Sequence, residues 1–448
     1  MKENLNQKFH VAGTLYLVPF VLTLFARTYY LGDDVTVDTG EESVYSTIMF
    51  GFSYLLAALL LIPRASFFIE ILFRVWPYFF YAMYAATTAF SSSYPEVVVL
   101  RVGHMVGTIL VTACAGLWAC DRKSSLLGLT TRFIFVAEVV SLLFVLLLPE
   151  RALVHSEWTS GGALDTRWLG VTGHPNLLGA IALIGMWLSF ASFNLERGRQ
   201  YPLISVGTIF FSLVMLKGSD SRTAQMGFMF LIGLKWILSG VKFDFAPRVK
   251  PDYSRPLMKV IFVLSLGVIM AIALANMDTI GFTARDGATD VFSDRPYIWG
   301  QGVKAIIERP MGWSYDLFRT YWDNHDQLDL FYHFHNGYLD IAVRGGIIAE
   351  SAFLLILVRM FSAIRKMRIV DPRLSKEFML FFLTNVFYNL TETSFDRESS
   401  LWLMLMTVWL CAETVNWRYS GYINGQLSQV RAAQREQVAS GAGIVAGE

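Results

Sequence analysis

Charged side chains are what this sequence has least of for its length. Asp, Glu, Lys and Arg make up 16% of the 448 residues, against 54% hydrophobic, and the mean hydropathy is +0.46. A soluble domain carries about a quarter of its residues as charges, so this chain has too little polar surface to be one. Cysteine is nearly missing too. Cys114, Cys120 and Cys411 lie inside hydrophobic blocks without metal-ligand spacing and read as small packing residues. The N-terminus has no small-residue cleavage site, so its apolar block reads as a first span. The net charge of +1 gives no reason to expect a nucleic-acid partner.

The apolar residues that are present come in blocks long enough to cross, as helix, a hydrocarbon layer of about 30 Å. Twelve spans are expected, near 9–30, 43–62, 75–92, 97–119, 130–149, 175–195, 201–217, 222–240, 259–276, 338–358, 377–392 and 400–416. Basic connectors (around Lys8, Arg74, Lys123, Arg197, Lys250 and Arg368) alternate with acidic ones (Asp33 to Glu42, and 278–329). By the positive-inside rule both termini are then cytoplasmic. The segment 150–174, the turn at 217–222, the long loop 277–337 and the tip 393–399 all face outward. The fold expected is an all-α polytopic membrane protein. Residues 1–417 form one transmembrane domain and 418–448 a polar, disordered tail.

Four outward pieces hold the chemistry-bearing residues. Gly170-Val-Thr-Gly-His-Pro-Asn enters the sixth span, with Pro175 in the first turn and Thr172 or His174 near the cap, where free NH groups can meet an anion. His174 and Asn176 are balanced there between helix capping and ligand contact. Ser219-Asp-Ser-Arg222 is a tight turn, and Arg222 opens the eighth span with a guanidinium suited to phosphate oxygens. Its plain alternative is a snorkelling arginine. Ser293-Asp-Arg-Pro-Tyr-Ile-Trp299 leads into an amphipathic helix expected on the membrane surface. Trp299, Val303, Ile306 and Ile307 form its apolar face, and Arg295 stands at its N-terminal end. An ion pair of Arg295 with Asp290 or Asp294 is the structural alternative. Arg309-Pro-Met-Gly-Trp313 terminates that helix. Last, His333-Phe-His-Asn-Gly-Tyr338 brings His335 to the mouth of a span, where a base can meet a hydroxyl from the aqueous side. His333 and His335 alone make a weak metal pair, no acid or cysteine set completes a ligand pattern, and no Asp-x-Asp triplet of the nucleotide-sugar type occurs.

Taken in order, these elements resemble the O-antigen ligase and polymerase superfamily of membrane glycosyltransferases. The resemblance runs from about Gly170 to Glu398 and includes Leu390-Thr-Glu-Thr393. It implies a C-type glycosyltransferase fold in the bacterial inner membrane with a periplasmic active site. It also implies transfer of a glycan from an undecaprenyl-diphosphate carrier to an acceptor hydroxyl, without metal or other cofactor. The partners implied are the lipid-linked donor, a glycan or lipid acceptor and membrane lipids, together with a polysaccharide co-polymerase or export complex. Arg222 and Arg295 resemble the arginines placed at the diphosphate, and His335 the histidine placed at the acceptor. Asn336 would orient His335 or the acceptor; the rival readings are that His335 only hydrogen-bonds a phosphate, or that Glu392 or an acid from 323–329 is the base. Ser221, Trp299 and Tyr338, inside the same motifs, join His174 and Asn176 as candidate substrate contacts. Gly346 falls where the ligase pattern expects it, but Ala349 stands where that pattern has a Gly, Thr or Tyr.

Three functions compete. A polymerase would join lipid-linked repeat units into an exopolysaccharide, capsule or O-antigen chain, and direct attack at the anomeric carbon would invert its configuration. A ligase would move finished glycan to lipid A-core or another acceptor. A transporter or flippase for lipid-linked sugar would need charges at mid-depth and paired broken helices. Within the spans, Lys235 and Glu138 are the clearest charges, and polar density gathers instead at one surface.

Overall fold

The computed structural model describes residues 15–29, 44–121, 123–154, 167–195, 202–239, 295–316, 318–324, 333–397 and 399–441. The expected span at 259–276, residues 277–294, 317 and 325–332 of the loop 277–337, and with them Asp290 and Asp294, lie outside them. Among the described residues the chain is helical without strands, apart from one isolated bridge between Leu153 and Trp168.

Each of the other expected spans coincides with a helix. In chain order the principal helices, of which α3 and α10 match no expected span, are α1 (Val18–Thr28), α2 (Val44–Leu61), α3 (Ala65–Arg74), α4 (Trp76–Thr87), α5 (Pro95–Asp121), α6 (Lys123–Leu147), α7 (Pro175–Leu195), α8 (Pro202–Ser219) and α9 (Arg222–Ser239). Then follow α10 (Arg295–Glu308), α11 (Gly337–Met367), α12 (Pro372–Tyr388) and α13 (Ser400–Gly441). Among the described residues, five stretches are long and apolar enough to cross a membrane: Tyr45–Arg74, Pro95–Ala119, Leu126–Leu147, Pro175–Phe193 and Gly337–Met367. Val18–Thr28 and Leu203–Ser219 are shorter apolar helices. Large apolar side chains such as Phe52, Leu55, Phe79, Phe210 and Val358 point away from the bundle, as expected where the surroundings are lipid.

The bundle interior is dense with aromatics. Trp187 of α7 stacks on Phe381 of α12 with ring centroids 4.0 Å apart, and its indole NH donates to the Glu377 carbonyl. A low-dielectric interior favours paired polar side chains, and the Ser212 hydroxyl donates to Glu138 at 2.5 Å.

Two expectations change here. The segment 418–441 is helical, a continuation of α13, rather than a disordered tail. Gln, Ala and Arg are frequent in its second half, 426–439, and they are good helix formers whatever their polarity. In α10, the buried face is Ile298, Ala305 and half-buried Ile306, packed with Phe334, Leu339 and Val343 of the α11 entry. Val303 and Ile307, placed on the same face from sequence, are 50% and 73% exposed.

α11 is broken at Gly346, whose φ of 65° and ψ of −165° are not helical. The break is filled by the chain that leaves α10. The Trp313 NH donates to the Val343 carbonyl at 2.9 Å, and the Ile347 NH to the Pro310 carbonyl at 3.0 Å. A side chain at Gly346 would collide with the Pro310 and Met311 backbone, and the conformation itself is one that L residues avoid. Arg309-Pro-Met-Gly-Trp313 therefore ends α10, as expected, and also supplies the hydrogen bonds that α11 loses at its break.

Candidate active site

Glu392 is the point on which the site converges. It lies in the connector between α12 and α13, and its side chain is 6% exposed. The carboxylate meets His335 Nδ1 at 3.1 Å, His333 Nε2 at 3.3 Å and the Thr393 NH at 3.1 Å through Oε1. Through Oε2 it accepts from the Asn176 amide at 2.8 Å and pairs with Arg295 at 3.5 Å. Burial pushes the Glu392 pKa up, but His335 and His333 beside it more than offset this and hold it well below the ordinary carboxylate range. An ionised carboxylate with both oxygens taken is a poor base and a good anchor.

Each contributing segment is locked locally. Asn336 is the N-cap of α11: its side-chain oxygen accepts from the Tyr338 and Leu339 NH groups, and its amide donates to the Leu390 carbonyl. It therefore orients His335 through the backbone, and its own side chain is committed. The Gly337 NH donates to the Asn389 and Glu392 carbonyls at 2.8 and 3.1 Å, which fastens the two connectors together. His335 has a φ of 48°, a left-handed conformation uncommon for a side-chain-bearing residue and met most often where surroundings impose it. The imposing contact is close by. The Phe334 NH donates to Asp340 Oδ1, and Asp340 also pairs with Arg397 at 2.7 Å and with Arg344 at 3.2 Å. Arg344 is fully buried and reaches Asp396, which accepts from the Tyr81 hydroxyl. This charged knot pins the backbone between the two histidines.

At the α7 entry, His174 precedes Pro175, and its Nδ1 accepts the Asn176 NH at 3.1 Å. The backbone NH that sequence offered to an anion is thus used by the histidine. Burial above all depresses the His174 pKa to about 4, so the ring is neutral and able to accept. Asn176 is fixed from both ends, donating to Glu392 and accepting from Arg167 at 3.2 Å. Arg167 also holds the Ser219 carbonyl, and so ties the α8–α9 turn to this segment. At the start of α9, half-buried Arg222 is followed by Thr223, which accepts from Arg295 at 3.4 Å and donates to the Thr391 carbonyl. Burial and the neighbouring His335 lower the His333 pKa.

The structure thus brings together His335, Glu392, Arg295 and Asn176, with His174 and Arg222 adjoining. Other candidates hold packing positions. Ser221 packs against Gly179, and its buried hydroxyl has no hydrogen-bond partner among the described residues. The Tyr338 hydroxyl donates to the Val386 carbonyl and its ring meets Phe395 edge-on. Trp299 is half-buried on α10, beside the buried Ile298. Arg295 pairs with Glu392, a partner the sequence reading did not consider. His333 and Arg167 were missed as members of the site. The cue for Arg167 was an arginine three residues before the Gly170 motif, too plain to stand out.

The expectation that no acid completes the histidine pair is overturned. Glu392 joins His333 and His335, and one donor atom from each residue lies within 4.8 Å of the others.

A multi-pass helical membrane protein with guanidinium, imidazole and carboxylate groups gathered where its helices begin and end is a class suited to chemistry at a membrane surface. Residues 207–354 match the family model described as O-antigen ligase, which agrees with the resemblance read from the motifs and supports glycosyl transfer of that general type. The match includes Arg222, Arg295, His335 and Asn336 and stops before Glu392. No curated protein matches the chain.

Proposed function

We propose that this protein polymerises glycan repeat units at the outer face of the bacterial inner membrane. A glycan leaves its undecaprenyl-diphosphate carrier and passes to the hydroxyl of an acceptor unit. The observation that supports this best is the convergence of His335, Arg295 and Asn176 on the buried Glu392 carboxylate.

With Nδ1 turned to Glu392, His335 leaves Nε2 as the nitrogen that takes the acceptor proton. Glu392 fixes the ring and stabilises the imidazolium that forms, an anchor-and-base arrangement of known catalytic worth. The acceptor oxygen attacks the anomeric carbon, the bond to the diphosphate breaks, and configuration inverts. Negative charge grows on the leaving diphosphate, and Arg222 and Arg295 supply fixed positive charge where it develops. Alanine at position 349, where the ligase pattern has a different residue, favours polymerase over ligase. No step calls for a metal or nucleotide sugar.

Deleting the gene and sizing the carrier-linked glycan tests the reading. Single repeats are expected to accumulate. Long carrier-linked chains would mean a ligase, and unflipped single repeats on the cytoplasmic side would mean a transporter.

A further inference from the structure

Three donor atoms at the site form a nearly equilateral triangle. His333 Nε2 and His335 Nδ1 are 3.1 Å apart, His335 Nδ1 and Glu392 Oε1 3.1 Å, and His333 Nε2 and Glu392 Oε1 3.3 Å. Hydrogen bonds do not account for this shape. An imidazole nitrogen is a donor or an acceptor but never both, so at most two of the three edges can be well-directed hydrogen bonds in any protonation state. A cation accounts for all three. Ligands about 2.0–2.1 Å from a tetrahedral zinc ion lie about 3.3 Å from one another, which is the size of this triangle.

We infer that His333, His335 and Glu392 form a binding site for a divalent ion of the zinc class, and that its occupation shuts the enzyme off. Two imidazoles and one carboxylate suit Zn2+ in preference to Mg2+ or Ca2+, which take oxygen ligands. The outer contacts suit it as well. Asn176 and Arg295 hold Oε2 of Glu392, so Oε1 is presented as a single ligand atom, the kind of support that orients ligands in metal sites. The fourth position is left to water. The ion and the acceptor proton then compete for one residue. A neutral imidazole bound to metal through Nδ1 carries its hydrogen on Nε2 and has no lone pair left to receive a proton. The inhibitory half rests on the reading of His335 as the base; the binding half does not.

The full-length protein, purified without a polyhistidine tag and stripped with chelator, separates the two. Equilibrium dialysis with Zn2+ should find one ion per chain, and Co2+ in its place should give the visible absorption of a four-coordinate site. His333→Ala, at a side chain 31% exposed, should weaken binding at least tenfold, and Glu392→Gln likewise. Absence of stoichiometric binding, or binding unchanged in both variants, overturns the site. Glycan transfer in chelator should proceed and should fall at least tenfold when Zn2+ saturates the protein. Transfer that needs added Zn2+, or ignores it while it is bound, overturns the inhibition and leaves the site standing. No transfer with or without the ion would count against the proposed function, and not against the site.

Discussion

Replacing Glu392 by Gln is the sharpest perturbation of this site, because it preserves shape and removes one charge. Five donors converge on the carboxylate: His333, His335 and the Thr393 NH at Oε1, Asn176 and Arg295 at Oε2. A glutamine has one oxygen and one NH2. If its NH2 takes the Oε2 position, it opposes the Asn176 amide and the Arg295 guanidinium, donor against donor. If it takes the Oε1 position, it opposes the Thr393 NH and donates to His335 Nδ1, which moves the ring hydrogen to Nε2 and removes the basic lone pair. Either orientation leaves buried donors unsatisfied, at about 1–3 kcal/mol each. Loss of the correct tautomer lowers turnover by roughly two to four orders of magnitude. The assay is glycan transfer from a lipid-linked donor at matched protein level, with His335→Gln and the double variant alongside. Residues acting as one unit lose little more together than apart, so the double variant should be no slower than His335→Gln within a few-fold. Turnover of Glu392→Gln close to that of the unaltered protein would refute the anchoring role. Normal turnover of His335→Gln with a dead Glu392→Gln would make the carboxylate the base.

Arg222→Ala and Arg295→Ala should each abolish transfer, with Lys a poor substitute because it lacks the planar fork; near-normal turnover in both Ala variants would leave the diphosphate without its clamp. Gly346→Ala should cost about 2–4 kcal/mol, from a forbidden conformation and overlap with the 310–311 backbone, and an unchanged thermal midpoint in detergent would contradict the docked break. His174, with its folded pKa near 4 against an ordinary 6.5, takes its proton in the unfolded chain first as pH falls. Its contribution to stability is therefore complete above about pH 6.5 and lost progressively toward pH 4; His174→Asn, which keeps a capping acceptor, should flatten that part of the stability–pH curve.

The helices and the site were legible from sequence to different depths. Apolar block length located the helices because lipid leaves few alternatives to a helix. Arg222, Arg295, Asn176 and His335 stood out because each follows a turn or Pro/Gly signal at the start of a helix. The target that Arg295, Asn176 and His335 share did not. Glu392 is 216 positions from Asn176 and 57 from His335, and nothing in local spacing joins them. Asn336 was read as a partner of the base, since a cap and a catalytic amide look alike until the accepting NH groups are seen. Val303 and Ile307 matched a helical period, but period alone does not say which of two apolar faces turns inward. The docking of residues 310–313 into α11 was hidden because a glycine within an apolar helix carries no signal of a break.

The order in which this chain is made gives the buried carboxylate a second meaning. Arg167, Asn176, Arg222, Arg295 and the two histidines are all translated before Glu392, and with it absent they form a cluster of positive and polar groups without a counter-charge. The site cannot assemble until the connector after α12 has been inserted and folded back onto the start of α11. Chains that stop before residue 392 therefore cannot form this cluster, however well their earlier helices pack.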